Sequence, residues 1–143
     1  MIRPRPRTVT VALFYLLAAS VVVGCWALFL PRAFYDAFPG FGRVWVATDG
    51  PYNEHFVRDL GALNLALGLL AGLCLLRPKL ASPFVVGLAT LGYNLPHFVY
   101  HVSMLRYYQP IDRVGNMVAL GGALVASLVL LAAKPAPDGN AAG

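Results

Sequence analysis

Charged side chains are scarce in this chain. Only 12% of its 143 residues are Asp, Glu, Lys or Arg, against about a quarter in an ordinary soluble domain. That deficit excludes a fold solvated on all sides and a charge-rich disordered chain. Cysteine is rarer still, with Cys25 near the outer end of the first apolar run and Cys74 near the inner end of the second. Antiparallel segments put these two at opposite ends, far beyond the ~5.5 Å Cα spacing of a disulfide. There is no C-x-x-C pair, and no basic patch interleaved with aromatics, which excludes a nucleic-acid surface. Histidine occurs only three times, at positions 55, 97 and 101.

What the chain has in excess is apolar length: 59% of it is hydrophobic. Four runs account for this, Thr8–Leu30, Phe56–Leu76, Leu80–Leu105 and Val114–Ala133. Each is close to the ~20 residues that cross a ~30 Å hydrocarbon core. The predicted fold is an all-α integral membrane four-helix bundle with both termini cytoplasmic. Its helices cover about 8–30, 56–76, 80–105 and 114–133, within one domain spanning 1–133, followed by a disordered cytoplasmic tail, 134–143. The predicted location is the cytoplasmic membrane, multi-pass. Partners are the lipid bilayer and a membrane subunit or second copy, with no nucleic acid.

Charge placement sets the orientation. The inner side holds Arg3, Arg5, Arg7, Arg77, Lys79 and Lys134 against Asp138, which is the whole net charge of +5. The outer side balances Arg32, Arg43, Arg58, Arg106 and Arg113 against Asp36, Asp49, Glu54, Asp59 and Asp112. This is the positive-inside pattern. The N-terminal Arg3-Pro4-Arg5-Pro6-Arg7 could also open a signal peptide, and Val22-Val23-Gly24-Cys25 resembles a lipoprotein cleavage box. Trp26 to Leu30 stays apolar beyond that cysteine, which favours an uncleaved span.

A long aromatic extracytoplasmic loop, Pro31 to Glu54, joins the first two spans and contains Phe34, Tyr35, Phe38, Phe41, Trp45 and Tyr52. Such length is functional or disordered, and the aromatic content predicts a packed cap over the outer end of the bundle. Glu54 and Arg58 are spaced for an ion pair. The turn between the second and third spans, Arg77-Pro78-Lys79, is short, so these two helices are predicted to be antiparallel neighbours. Folding about that turn sets His55 opposite Val102, Asp59 opposite Phe98 and Asn64 opposite Tyr93. Pro96 interrupts the backbone ladder of the third span. Gly61, Gly68 and Gly72 in the second span, and Gly115, Ala119, Ala123 and Ser127 in the fourth, offer surfaces for close packing.

That register brings His55 and Asp59 to the depth of His97 and His101, each pair spaced to share one helix face. Ionisable groups inside a membrane point to function. Imidazole and carboxylate suit Zn, Cu or Fe, so His55, Asp59, His97 and His101 are candidate metal ligands. Glu54, Asn64, Tyr93, Asn94, Tyr100 and Asn116 would orient them. A metal-dependent enzyme acting on a lipid or small apolar substrate is one reading. A haem held by histidines from facing helices is another. A proton or quinone site built on His with Asn or Tyr is a third. The fourth is a non-catalytic subunit whose polar cluster only locks helix packing.

The segments Asp49-Gly50-Pro51-Tyr52-Asn53-Glu54-His55-Phe56-Val57-Arg58-Asp59-Leu60-Gly61 and Pro96-His97-Phe98-Val99-Tyr100-His101 resemble those of small four-span membrane proteins of high-GC actinobacteria. The layout also resembles the DoxX-like group of four-helix membrane proteins, some of which are linked to quinone-coupled oxidation. The resemblance implies the same fold and adds to the redox reading. It assigns no residue a role.

Overall fold

Each of the four apolar runs folds as one long helix. A computed structural model describes residues 5–133: α1 (Arg7–Phe29), α2 (Pro31–Ala37), α3 (Glu54–Leu76), α4 (Pro83–Met104) and α5 (Pro110–Leu131). The tail predicted for 134–143 lies outside the described residues. Local chemistry sets the starts. The Asn53 side chain accepts from the Phe56 amide to open α3, and Ser82 accepts from the Val85 amide to open α4. Pro83 and Pro110 stand where a missing amide proton costs nothing. This moves the start of α5 four residues ahead of the apolar run. α1 continues unbroken through Gly24, Cys25 and Trp26.

Among the described residues, three helices are long and apolar enough to cross a membrane: α1, α3 and α5. α4 matches them in length, at 22 residues. It falls short on composition because Thr90, Tyr93, Asn94, His97 and His101 lie within it.

The segment expected to be a loop contains a fifth helix. Pro31 opens α2, and an Arg32–Asp36 ion pair of 2.6 Å spans one of its turns. Two short antiparallel strands follow, β1 (Pro39–Gly40) and β2 (Arg43–Val44), paired Pro39 with Val44 and Gly40 with Arg43. The turn residues Phe41 and Gly42 have φ of 57° and 72°. Positive φ at both positions is the left-handed turn that matches hairpin twist. A single 3-10 turn, Val46–Thr48, leads on towards α3.

The long helices associate as two pairs. α1 packs along α3, α4 along α5, and α1 joins the pairs through α5. Small residues permit the close approach. A Cβ on Gly61 would lie 2.5 Å from the Leu28 backbone nitrogen, and one on Gly87 would lie 2.7 Å from that of Leu131. Gly68 likewise meets Ser20. The second-span glycines therefore serve contact with α1. Contact with α4, the predicted neighbour, is slight despite the short connection.

At the end where α1 begins and α5 finishes, Leu13, Leu16, Ala71, Cys74, Val86 and Leu130 form a continuous apolar core. At the other end Ala27, Phe34 and Val57 form a second one, under a chain of aromatic contacts running Trp26, Phe34, Phe38 and Trp45. The cap is tied down across the bundle. Trp45 Nε1 donates to Asp112 Oδ1 at 3.0 Å, and Arg43 lies 3.5 Å from the other oxygen of that carboxylate.

Candidate functional site

Between the two apolar cores the four long helices leave a space at their centre. They enclose a cavity of about 420 Å³ beneath the cap, within the usual range for small-molecule sites. Its walls differ. α1 supplies mostly aliphatic surface, including Leu16, Val22 and Val23, while α4 supplies Thr90, Tyr93, Asn94, His97 and His101. Asn64 of α3 and Asn116 of α5 complete the polar side, and Phe34, Phe38, Trp45 and Asp49 close the capped end. The residues that make α4 less apolar than its companions are thus the polar wall.

The polar wall has two parts. Nearer the cap, His101 meets Asp49 of the cap and Tyr108 of the α4–α5 connection. The Tyr108 hydroxyl donates to Asp49 Oδ1 at 2.6 Å and lies 3.3 Å from His101 Nδ1. A phenol has one proton, and an ionised carboxylate only accepts. With that proton on Asp49, the Tyr108 oxygen accepts from a proton on His101 Nδ1. His101 Nε2 stands 4.0 Å from Asp49 Oδ2. Tyr108 lies outside the long helices. Its burial, reinforced by the hydrogen bond and charge of Asp49, pushes its phenol pKa up. It remains a proton donor throughout the neutral range.

Deeper in, Asn64 donates to the Leu60 carbonyl at 2.9 Å and reaches the Tyr93 hydroxyl at 3.5 Å. This is the Asn64–Tyr93 pairing that the turn register predicts. Asn94 turns to α5, donating to Ser127 Oγ at 3.0 Å. Asn116 donates to the Asp112 carbonyl at 3.2 Å and is almost wholly buried. His97 differs from these. Among the described residues its ring is held by aromatic contacts alone, stacked on Tyr93 with centroids 5.1 Å apart and edge-on to His101 at 4.6 Å. A half-buried imidazole in a cavity wall without a protein hydrogen bond has bonding capacity left for a ligand.

The four predicted metal ligands do not assemble as one set. His97 and His101 line the cavity. His55 and Asp59 pair with each other at 3.3 Å, with side chains 78% and 62% exposed. The reason lies in helix geometry. At about 100° per residue, His55 and Asp59 stand about 180° and 140° around α3 from Asn64, which faces the cavity. Among the described residues no three His, Cys, Asp or Glu side chains form a metal-holding group. Axial haem ligation from facing helices is not set up either. The two cavity histidines occupy successive turns of α4, whereas axial ligands stand on opposite sides of the iron.

Of the residues expected to orient the ligands, Asn64, Tyr93, Asn94 and Asn116 line the cavity. Tyr100 is half-exposed and edge-on to His101. Glu54 lies on the surface, bonded to Arg58 at 2.8 Å as its spacing predicts. Asp49, Tyr108 and Trp45 join the site without any spacing in the sequence that marks them. The one sequence signal for Asp49 was an acid in a loop otherwise rich in aromatics. Comparisons with protein-family models, with curated proteins and with solved structures gave no match.

Proposed function

We propose that this is a four-span membrane protein whose cavity binds a quinone-type molecule, an apolar body carrying carbonyl or hydroxyl oxygens. The four long helices all carry large apolar side chains on their outer surfaces. Examples are Val11 and Phe14 on α1, Leu69 on α3, Leu88, Leu95 and Val99 on α4, and Val118 and Val125 on α5. An apolar exterior around a polar-walled interior supports counting α4 as the fourth span, since lipid replaces water as the outer solvent. Arg5, Arg7, Arg77 and Lys79 gather at the end where α1 begins and α3 turns into α4. Charges at the capped end balance, which supports an outer position for the cap.

The observation that carries the ligand reading is His97, which makes no hydrogen bond among the described residues and stands on the polar wall of the chamber. A ring carbonyl accepts from an imidazole N–H, and its hydroxyl form donates to an imidazole nitrogen. His101, with Asp49 and Tyr108 behind it, can exchange a proton with the same head group. The dispersal of His55 and Asp59 removes the support for a four-ligand metal site.

The test uses the only two tryptophans in the chain, Trp26 and Trp45, which both contact Phe38. A tail-less benzoquinone titrated into detergent-purified protein should quench their fluorescence saturably. His97→Ala should weaken that binding about tenfold, the value of one well-placed buried hydrogen bond. Non-saturable quenching, identical in the variant, would defeat the proposal.

A further inference from the structure

Resting on the reading above, we propose that the cavity takes a quinone carrying a long hydrocarbon tail, and that the tail leaves sideways between α3 and α4 into the lipid. The seam between these helices is closed at one end and open at the other. Gly61 and Gly68 direct one side of α3 to α1, while the Asn64–Tyr93 contact sets α4 on the other side. Along that second side, at helical spacing, lie Cys74, Leu67, Leu63 and Phe56. Their exposure rises towards the cap: Cys74 is 0% exposed, Leu67 partly buried, Leu63 45% and Phe56 69%. The facing stripe of α4 repeats the trend. Ala89 and Tyr93 are partly buried, Pro96 is exposed and Tyr100 is 45% exposed.

Two helices joined by a tight turn at one end and splayed at the other make a lateral mouth. Leu67 on α3 and Tyr93 on α4 are both seam residues and cavity wall, so the mouth is continuous with the chamber. The head group has its polar partners inside. The mouth is mostly apolar, with Phe56, Leu63 and Pro96 exposed beside the ring of Tyr100, which suits a hydrocarbon chain. A cap tied to α5 by Trp45 and Asp112 closes the chamber from above, so a ligand already dissolved in the membrane has the direct route in.

The test compares a tail-less benzoquinone with the same ring bearing a decyl chain, both read by tryptophan quenching. The variants are Leu63→Gln, at the mouth but outside the cavity wall, and Val118→Gln, on the exposed outer face of α5 away from the mouth. Partitioning of the tail into detergent acts on all three proteins alike. Unaltered protein and Val118→Gln should bind the decyl probe at least about tenfold more tightly than the tail-less one, and Leu63→Gln should lose most of that gain. All three should bind the tail-less probe equally. Equal affinity of the two probes for the unaltered protein, or equal effects of the two substitutions, would overturn the lateral mouth and leave the chamber reading standing. A tail-less probe that fails to bind at all would overturn both.

Discussion

At the scale of single residues, Tyr108 is the joint between the cap, α4 and the α4–α5 connection. Its hydroxyl holds Asp49 at 2.6 Å and touches His101. A hydrogen bond to a charged group contributes about 1.5–3 kcal/mol, so Tyr108→Phe should destabilise by that amount at neutral pH. The pH dependence has a definite sign. Burial and the Asp49 carboxylate raise the phenol pKa above its unfolded value of about 10. The stabilisation is therefore complete below about pH 10 and is lost as pH rises towards the folded value. Thermal unfolding at about pH 8 and about pH 11 should show a larger alkaline loss for the unaltered protein than for Tyr108→Phe. Parallel losses would sink this account. Part of the site is readable at this scale. His97 and His101 follow from their four-residue spacing within one polar helix. Asp49 and Tyr108 do not, because they come from connections whose course no periodicity describes.

Among the elements, the decisive contacts are between backbones. The α1–α3 pair depends on Gly61, where an added Cβ would meet the Leu28 backbone. Backbone atoms cannot swing aside as a side-chain tip can. Gly61→Ala should therefore force the helices apart and cost about 1–3 kcal/mol, read as a lower unfolding midpoint. Gly92 is the control, since a Cβ there meets nothing within 4 Å. Gly92→Ala should be neutral or stabilising by up to about 1 kcal/mol through helix propensity alone. If both variants fall equally, close packing at Gly61 is not the cause. The glycines were visible in the sequence as packing surfaces, but which helix each one meets was not. Antiparallel adjacency of α3 and α4 was inferred from their short turn. A short turn requires only that two helix ends be near each other, and here the rest diverge around the chamber.

For the whole molecule, the proposed topology makes a direct prediction. The hairpin tip at Phe41 is fully exposed at the capped end, while Lys79 lies in the exposed α3–α4 turn at the opposite end. In a Cys25→Ser background, Phe41→Cys should react with a membrane-impermeant maleimide added to intact cells. Lys79→Cys should react only after permeabilisation. Labelling of Lys79→Cys in intact cells would invert the orientation or remove the span between the two sites. In that proposed topology α4 serves as the fourth span, with its polar stripe turned to the interior.

Apolar run length and turn residues determined, without any coordinates, that the chain forms four long helices with boundaries near those seen, because helix length and caps are local properties. The i, i+4 spacing also placed His97 and His101 on one face. The tertiary structure decided which faces look inward. It turned His55 and Asp59 away, brought Asp49 and Tyr108 to His101, and folded the aromatic segment into a helix and hairpin that close a chamber. Rotation of a helix about its own axis is set by the sum of its contacts with every neighbour, the glycine contacts with α1 above all. A pattern read along one helix cannot contain that sum.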